Sequence, residues 1–516
     1  MLWKRVSNNP AIWVIVLGFV IRLYSFYHSY LFNPDGIKYI QQAKALNFGL
    51  YDVLTACYGH LNSLAFFILA AFKITGDWVV AGKAVSIFFG TAVMIPLYLL
   101  LRRFLDKSFA CCCLLVFAVH PIFVELGSDI LRGPVFWFFL TLGLYFFTCH
   151  DQKRYFLFLS LSCATFLMAL TARFEAIIFI FISPCFLLFA EKEYKWRKIS
   201  AFVSPLLLIL LVALVFFSSY FREIGTIFYP QEIIERLMSA MRRYNELQGS
   251  LTVLKDQDPA GLSPFFLSEV RSLLWWLAFG VLLVELARTF FEPFFLIFLL
   301  GIPGIKKRLK QDKNLFYLVL LALSAFVMLY VQVLYNWIMT KRFIALFLFP
   351  SFVFIGFGLE RIVRFLKNRF NMKQTLAYGA VCLLIFVTAL PKNLEPNRED
   401  KLVFKEIGEF VAAREGNSNE ILIAGSFKRV NFIHFYSNLN YRGAPCFDED
   451  EYWIDEKSPV DLKFLRENNF HYFVWDEMHR SAAELEMLKG EGGQGLTEVG
   501  EWQARKLGRL IVFRIE

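Results

Sequence analysis

The sequence predicts a polytopic α-helical membrane protein, with about eleven spans and a C-terminal α/β domain on the outer side of the membrane. Three observations carry this reading. Apolar residues make up 57% of the 516 and charged ones only 19%, with Phe alone at 60, a balance foreign to a soluble chain of this length. The apolar residues come in unbroken runs of roughly 20, the length that crosses a hydrocarbon core as helix, without the alternation of a membrane barrel. Basic residues cluster in the short loops between runs, as the orientation bias of membrane proteins requires. The formal net charge of +10 therefore speaks for lipid and against a nucleic-acid partner.

The elements follow from run length and loop charge. Lys4 and Arg5 place the N-terminus in the cytoplasm, and with no small-residue cleavage site following, the first run (about 10–32) reads as an uncleaved helix. It delivers Asp35 to the outside. Residues 33–78 form a long outer segment broken by Asp52, His60, Asn62 and Gly76-Asp77, with a short apolar stretch at 61–73 that suits the interface. A second span (about 79–101) returns to Arg102, Arg103 and Lys107, and a third (about 108–125) rises to the turn Glu125-Leu126-Gly127-Ser128-Asp129-Ile130-Leu131-Arg132. The fourth descends to Lys153-Arg154. The fifth and sixth form a hairpin with Thr171, Arg173 and Glu175 at its outer turn, returning to Lys192, Lys195, Arg197 and Lys198.

A seventh span rises to Ser218, and a second outer segment (219–270) is interrupted by Pro230, Pro259 and Pro264. The eighth, whose pattern Glu285, Arg288 and Glu292 interrupt, descends to Lys306-Lys307-Arg308. The ninth rises to Asn336, the tenth descends to Arg361, Arg364, Lys367 and Arg369, and the eleventh (about 375–391) rises again. The basic loops fall on the inner face at every even turn. Residues 1–391 thus form the membrane domain, and 392–516 an outer domain in which helix (403–414) and strands (420–424, 471–475) alternate.

Nine cysteines give no disulfide framework, since Cys111, Cys112, Cys113, Cys149, Cys163, Cys185 and Cys382 sit in apolar runs as small hydrophobes. Cys57 and Cys446 face the outer aqueous side, and their pairing stays open. The seven histidines lack zinc spacing, and no glycine-rich phosphate loop is present.

Four constellations can carry chemistry. Asp35 heads an amphipathic helix with Lys38 and Tyr39 on the same face; capping of that helix and proton acceptance are both open to it. Glu125, Asp129 and Arg132 share one face if their helix continues, a grouping that suits a cation, an anion or a hydroxyl, or simply a solvated turn. Arg173 and Glu175 form an outer pair. Lys341 and Arg342 open the tenth span, where they can bind a lipid phosphate or snorkel to the interface.

The order and common side of these motifs resemble the GT-C membrane glycosyltransferases, which include protein O-mannosyltransferases, bacterial aminoarabinose transferases and Rgt-type polysaccharide enzymes. The matching pieces are Pro-Asp-Gly-x-x-Tyr at 34–39 with Ala43 and Ala45, Asp-Ile-Leu-Arg-Gly-Pro at 129–134, Arg-x-Glu at 173–175 and Lys-Arg-Phe at 341–343. The resemblance covers residues 10–391 and extends loosely to the outer domain. It implies a bacterial inner-membrane enzyme that moves a sugar, with inversion, from a polyprenyl-phosphate donor to a hydroxyl of a glycan, lipid or protein acceptor. Asp35 would be the general base, and Asp129 would shape the acceptor site or hold a metal. Arg132, Lys341 and Arg342 would bind the donor phosphate, supported by Tyr39, Glu125, Arg173 and Glu175.

One departure stands out. Many relatives carry a second acidic residue directly after the first-loop aspartate, and here that place is Gly36. This leaves a divalent metal (Mg or Mn, on Asp35 and Asp129) open as a cofactor. The competing classes are a transporter or flippase of lipid-linked sugar, which would show repeated halves with broken midplane helices, and an inactive scaffold of the same fold.

Overall fold

The computed structural model describes residues 9–516 except 59–60, 152, 192, 225–229, 257–262, 338, 397, 417, 428, 447–453, 455–459, 461, 491–494 and 506–507, and except the side chains of 213–241. The orientation markers Lys4 and Arg5, and His60, Lys192 and Pro259, lie outside the described residues. The described residues are predominantly helical and include one small sheet. Among the described residues, five helices are long and apolar enough to cross a membrane, or up to eight if each bent pair is one span.

The chain divides into two compact units, one of residues 1–23, 86–128 and 132–394, the other of residues 24–85, 129–131 and 395–516. The first unit holds most of the long apolar helices, among them Tyr155–Ala172, Lys313–Asn336 and Gln374–Leu394. Its bends have local causes. Helix Lys107–Val119 meets Pro121–Ser128 at 57°, because the residue before a proline is pushed out of the helical region. His120 accordingly has φ −62° and ψ 119°.

The carbonyls freed at that break find donors. Asn393 Nδ2 donates to Val119 O at 2.6 Å, and the fully buried Arg22 donates to Ala118 O at 3.4 Å and, in the helix beyond the break, to Phe123 O at 3.5 Å. Unpaired carbonyls are costly in a water-free interior, so these contacts permit a bend inside lipid. Where helices Glu292–Gly301 and Val353–Phe370 pack, a Cβ at Gly301 or Gly358 would collide with the carbonyl of Phe354 or of Ile297. Small residues allow such close backbone approach.

In the segment read from sequence as proline-broken (219–270), Pro230 and Pro264 instead open helices Pro230–Asp256 and Pro264–Ser272. Proline suits the first helical turn, where no amide partner is needed.

The second unit carries the sheet. Strands β1 (Ile423–Gly425), β2 (Tyr472–Asp476), β3 (Leu496–Ala504) and β4 (Gly508–Ile515) lie in the order β1-β2-β4-β3. β1 and β2 are parallel, whereas β4 runs antiparallel to both β2 and β3. Tyr472, Phe473, Val474, Trp475, Ile511 and Val512 form its buried centre. Helix Leu402–Glu415 packs on helix Val430–Ser437 through Gly408, whose missing side chain admits Tyr436. The same unit contains helices Asp35–Phe48, Tyr51–Tyr58 and Ser63–Thr75. A disulfide joins Cys57 to Cys446, and the neighbouring Tyr58 hydroxyl donates to Pro445 O at 3.1 Å.

Candidate functional site

The sequence-predicted residues fall into two sets, one in each unit. In the second unit Asp35 opens its helix, half-buried, where the helix dipole favours an anion. Capping does not come from the preceding residue, Pro34, which has no side-chain donor or acceptor. Instead Asn33 Oδ1 accepts the Asp35 amide at 3.1 Å, and Asn33 O accepts the Gly36 amide at 2.8 Å. The amides of Asp35 and Gly36 thus both have acceptors.

That loop is fastened from two sides. Phe32 stands edge-on to Phe432 and Phe435, at 5.5 and 5.4 Å between ring centres. Asp129 Oδ1 accepts the Asn33 amide at 2.8 Å and the Ile130 amide at 2.8 Å. The helix carrying Glu125 ends at Ser128, so Glu125, Asp129 and Arg132 do not continue along one helical face. Asp129 is instead drawn into a buried turn, 4% exposed, and the Glu125 side chain forms no ion pair among the described residues.

Gly36 has a steric reason. A Cβ there would lie 2.7 Å from Phe32 Cδ2 and 2.9 Å from Ile130 Cβ. No acidic side chain fits that place. Tyr39, about one turn into the helix, is buried at 6% exposure, and Lys38 lies over the Tyr58 ring at 5.6 Å. Further along the same helix the buried Lys44 donates to Asn438 O at 3.0 Å and Leu439 O at 3.3 Å. Burial lowers its pKa to about 8, partly opposed by Glu420. His434 is held neutral, its pKa brought down to about 3 by burial and then by Lys44.

In the first unit, Arg173 is 2% exposed and grips Glu175 with two nitrogens, Nη2 to Oε1 at 2.9 Å and Nε to Oε2 at 3.3 Å. Its Nη1 donates to Arg342 O at 3.4 Å, and its guanidinium lies 4.5 Å from the Phe343 ring centre. This guanidinium is committed to holding the hairpin turn against the start of helix Lys341–Ser351. Arg132 adds its positive field at Glu175. Lys341 is exposed, Arg342 half-buried. They open a helix whose N-cap residue, Thr340, provides no side-chain cap and leaves its hydroxyl without a partner among the described residues. Helix N-termini attract anions.

Two residues escaped the sequence reading. Arg398 stands 2.9 Å from Asp129 Oδ2 and donates to Leu31 O at 3.0 Å, and Lys83 donates to Ser29 O at 2.8 Å. An arginine just past the last apolar run looks like any boundary cation, and a lysine inside an apolar run was the only available signal for Lys83.

These residues do not fit a divalent metal. Both acceptor sites of Asp129 Oδ1 are filled by amides, Oδ2 faces a guanidinium, and position 36 holds no ligand. Among the described residues no group of three or more His, Cys, Asp or Glu side chains could hold a metal ion.

No protein-family model matches the sequence, and no curated protein matches it. Solved structures do. The oligosaccharyltransferase of Archaeoglobus fulgidus, in complex with Zn and sulfate, aligns at TM-score 0.58 and 12% identity, over 96% of this chain and 72% of that one. The archaeal oligosaccharyltransferase AglB from Archaeoglobus fulgidus, with an inhibitory peptide and a dolichol-phosphate, aligns at TM-score 0.53 and 13% identity, over 97% of this chain and 74% of that one. ArnT from Cupriavidus metallidurans, bound to undecaprenyl phosphate, aligns at TM-score 0.56 and 11% identity, over 97% of both chains. The chain therefore has the fold of the GT-C membrane glycosyltransferases.

Proposed function

We propose that this protein transfers a sugar from a polyprenyl-phosphate donor to a hydroxyl of a glycan, lipid or protein acceptor, at the outer face of a bacterial inner membrane. The observation that carries the reading is Asp35, a half-buried carboxylate at a helix opening, on a loop fastened on both sides and with the Asn33, Asp35 and Gly36 amides hydrogen-bonded. Its counterpart is the match of the whole chain to ArnT, which was solved with undecaprenyl phosphate bound.

In this reading the Asp35 carboxylate takes the proton of the acceptor hydroxyl as that oxygen forms a bond to the sugar's anomeric carbon. The bond from that carbon to the phosphate oxygen breaks on the opposite face, so configuration inverts and polyprenyl phosphate leaves. Arg132, Lys341 and Arg342 offset the charge that develops on the departing phosphate, and Arg173 with Glu175 holds the Lys341 helix in place. No metal enters the steps, because the donor set does not suit one.

Topology follows the sequence reading, with eleven spans, the N-terminus in the cytoplasm, a membrane domain to residue 391 and residues 392–516 outside. The Cys57–Cys446 disulfide supports an outer placement of both segments, since disulfides persist in oxidising compartments.

The experiment is mass analysis of surface glycans and lipids from cells lacking the gene, complemented with wild type or Asp35→Asn. The expected result is a sugar lost on deletion, restored by wild type and not by Asp35→Asn at equal membrane abundance. Full restoration by Asp35→Asn removes the base assignment. An unchanged glycan and lipid profile on deletion removes the transferase reading.

A further inference from the structure

We infer that Asp129 and Arg398 form a positioning pair for the Asp35 loop, so that Asp129 acts on the reaction through that loop and not by touching substrate or metal. The inference deepens the reading of Asp35 as base and rests on it.

The geometry is a relay of contacts within one compact unit. Arg398 Nη1 lies 2.9 Å from Asp129 Oδ2 and donates to Leu31 O at 3.0 Å, so one nitrogen touches both the start of the loop and its anchor. Asp129 Oδ1 accepts the Asn33 amide at 2.8 Å, and Asn33 Oδ1 accepts the Asp35 amide at 3.1 Å. Each member fixes the next, and the last is the residue proposed as base.

Apolar packing backs the relay. Ile130, fully buried beside Asp129, fills the space left by Gly36 and Gly82. The carboxylate itself is 4% exposed. Both lone-pair directions of Oδ1 are occupied by amides, and a guanidinium faces Oδ2, which disfavours a second cation there. Oδ2 is buried against the Arg398 guanidinium, away from solvent.

Arg398 also occupies a backbone position that suits its side chain and not its main chain. Its φ is +60° and ψ 31°, in the left-handed region that glycine adopts readily and other residues enter at a cost. Arg398→Gly therefore removes the guanidinium while leaving the backbone at ease.

The test uses the full chain, purified in lipid nanodiscs for hydrogen exchange and expressed in the deletion strain for glycan and lipid output. Arg398→Gly and Asp129→Ala are expected to speed exchange in the peptide covering 29–40 while the peptide covering 313–336 keeps its wild-type rate. Output should fall about 10- to 100-fold, as for a sub-ångström to ångström misplacement of a reacting group. The double variant should be no worse than the worse single variant, since the two act as a unit. Asp129→Asn keeps Oδ1 as acceptor for both amides but turns an amide NH2 toward the Arg398 guanidinium, so its exchange in the 29–40 peptide and its output should fall between wild type and Asp129→Ala.

Unchanged exchange in the 29–40 peptide of Arg398→Gly overturns the pair. So does an Asp129→Asn protein that is as inactive as Asp129→Ala with wild-type exchange, because that places Asp129 on substrate or metal. Asp35→Asn separates the two readings: it leaves the loop's exchange untouched and removes output only if Asp35 is the base.

Discussion

Gly36 offers the sharpest quantitative check on the site. A methyl group added there meets Phe32 Cδ2 at 2.7 Å, Ile130 Cβ at 2.9 Å and Phe32 Cε2 at 3.1 Å, where ordinary carbon contacts begin near 3.5 Å. Neither neighbour can yield cheaply. The Phe32 ring is wedged edge-on against Phe432 and Phe435, and Ile130 is fully buried with Gly82 behind it. Forcing extra carbon into a filled core costs about 1–3 kcal/mol, so Gly36→Ala should lose about 2 kcal/mol, roughly a 30-fold drop in the folded-to-unfolded ratio. Gly36→Asp should lose more, because its carboxylate is buried without a partner. The assay is denaturant unfolding of the purified protein in mixed micelles, alongside sugar output with and without added Mg or Mn. Two results would refute the reasoning: a Gly36→Ala protein as stable as wild type, or a Gly36→Asp protein whose output becomes metal-stimulated.

Two further expectations concern charge. Arg342→Ala should weaken binding of a polyprenyl phosphate, followed by native mass spectrometry, about 10- to 100-fold, the equivalent of one charge-assisted hydrogen bond; unchanged binding counts against its phosphate role. Lys44 should make stability depend on pH, since burial lowers its folded-state pKa to about 8 from 10.5. Between those values the unfolded chain holds more protons than the folded one, so stability rises with pH across that window and levels off above it. Below pH 8 the charged, buried form costs the protein a few kcal/mol. Unfolding measured from pH 7.5 to 10.5 should show a slope that Lys44→Met flattens relative to wild type.

Much of this fold was legible because lipid imposes simple rules. Apolar run length located helices such as Lys313–Asn336 and Gln374–Leu394, and the strand at residues 471–475 was found within one residue of Tyr472–Asp476. The hairpin of β3 and β4 was missed, although Leu510-Ile511-Val512-Phe513 after a glycine is a strand signal; the polar Glu498 and the bulge between Glu498 and Gly500 obscure its partner. The site was less legible for a physical reason. Spacing of three and four residues implies a shared face only while a helix continues, and the helix bearing Glu125 stops at Ser128. Arg398 lies nearly 270 positions from Asp129 in sequence, and periodicity carries no signal over such a separation. The Cys57–Cys446 pairing, left open by the sequence, depends on a long-range contact of the same kind.

The loss of a second carboxylate at Gly36 and the commitment of Asp129 to amides and Arg398 have one chemical consequence for the proposed reaction. A polyprenyl phosphate that leaves without a metal gains a negative charge that only side chains and helix dipoles can offset. Arg173 cannot supply that charge, since its guanidinium is held by both oxygens of Glu175. The work falls to Arg132, Lys341 and Arg342, the last two at the N-terminal end of helix Lys341–Ser351, where cations are unfavourable unless an anion sits between them and the dipole. A helix that opens with two cations, and whose cap residue Thr340 has a hydroxyl without a partner among the described residues, suits a phosphate. Arginine and lysine should therefore not be interchangeable at position 342: Arg342→Lys keeps the charge but loses the fork that matches two phosphate oxygens. Its binding of polyprenyl phosphate should fall between wild type and Arg342→Ala.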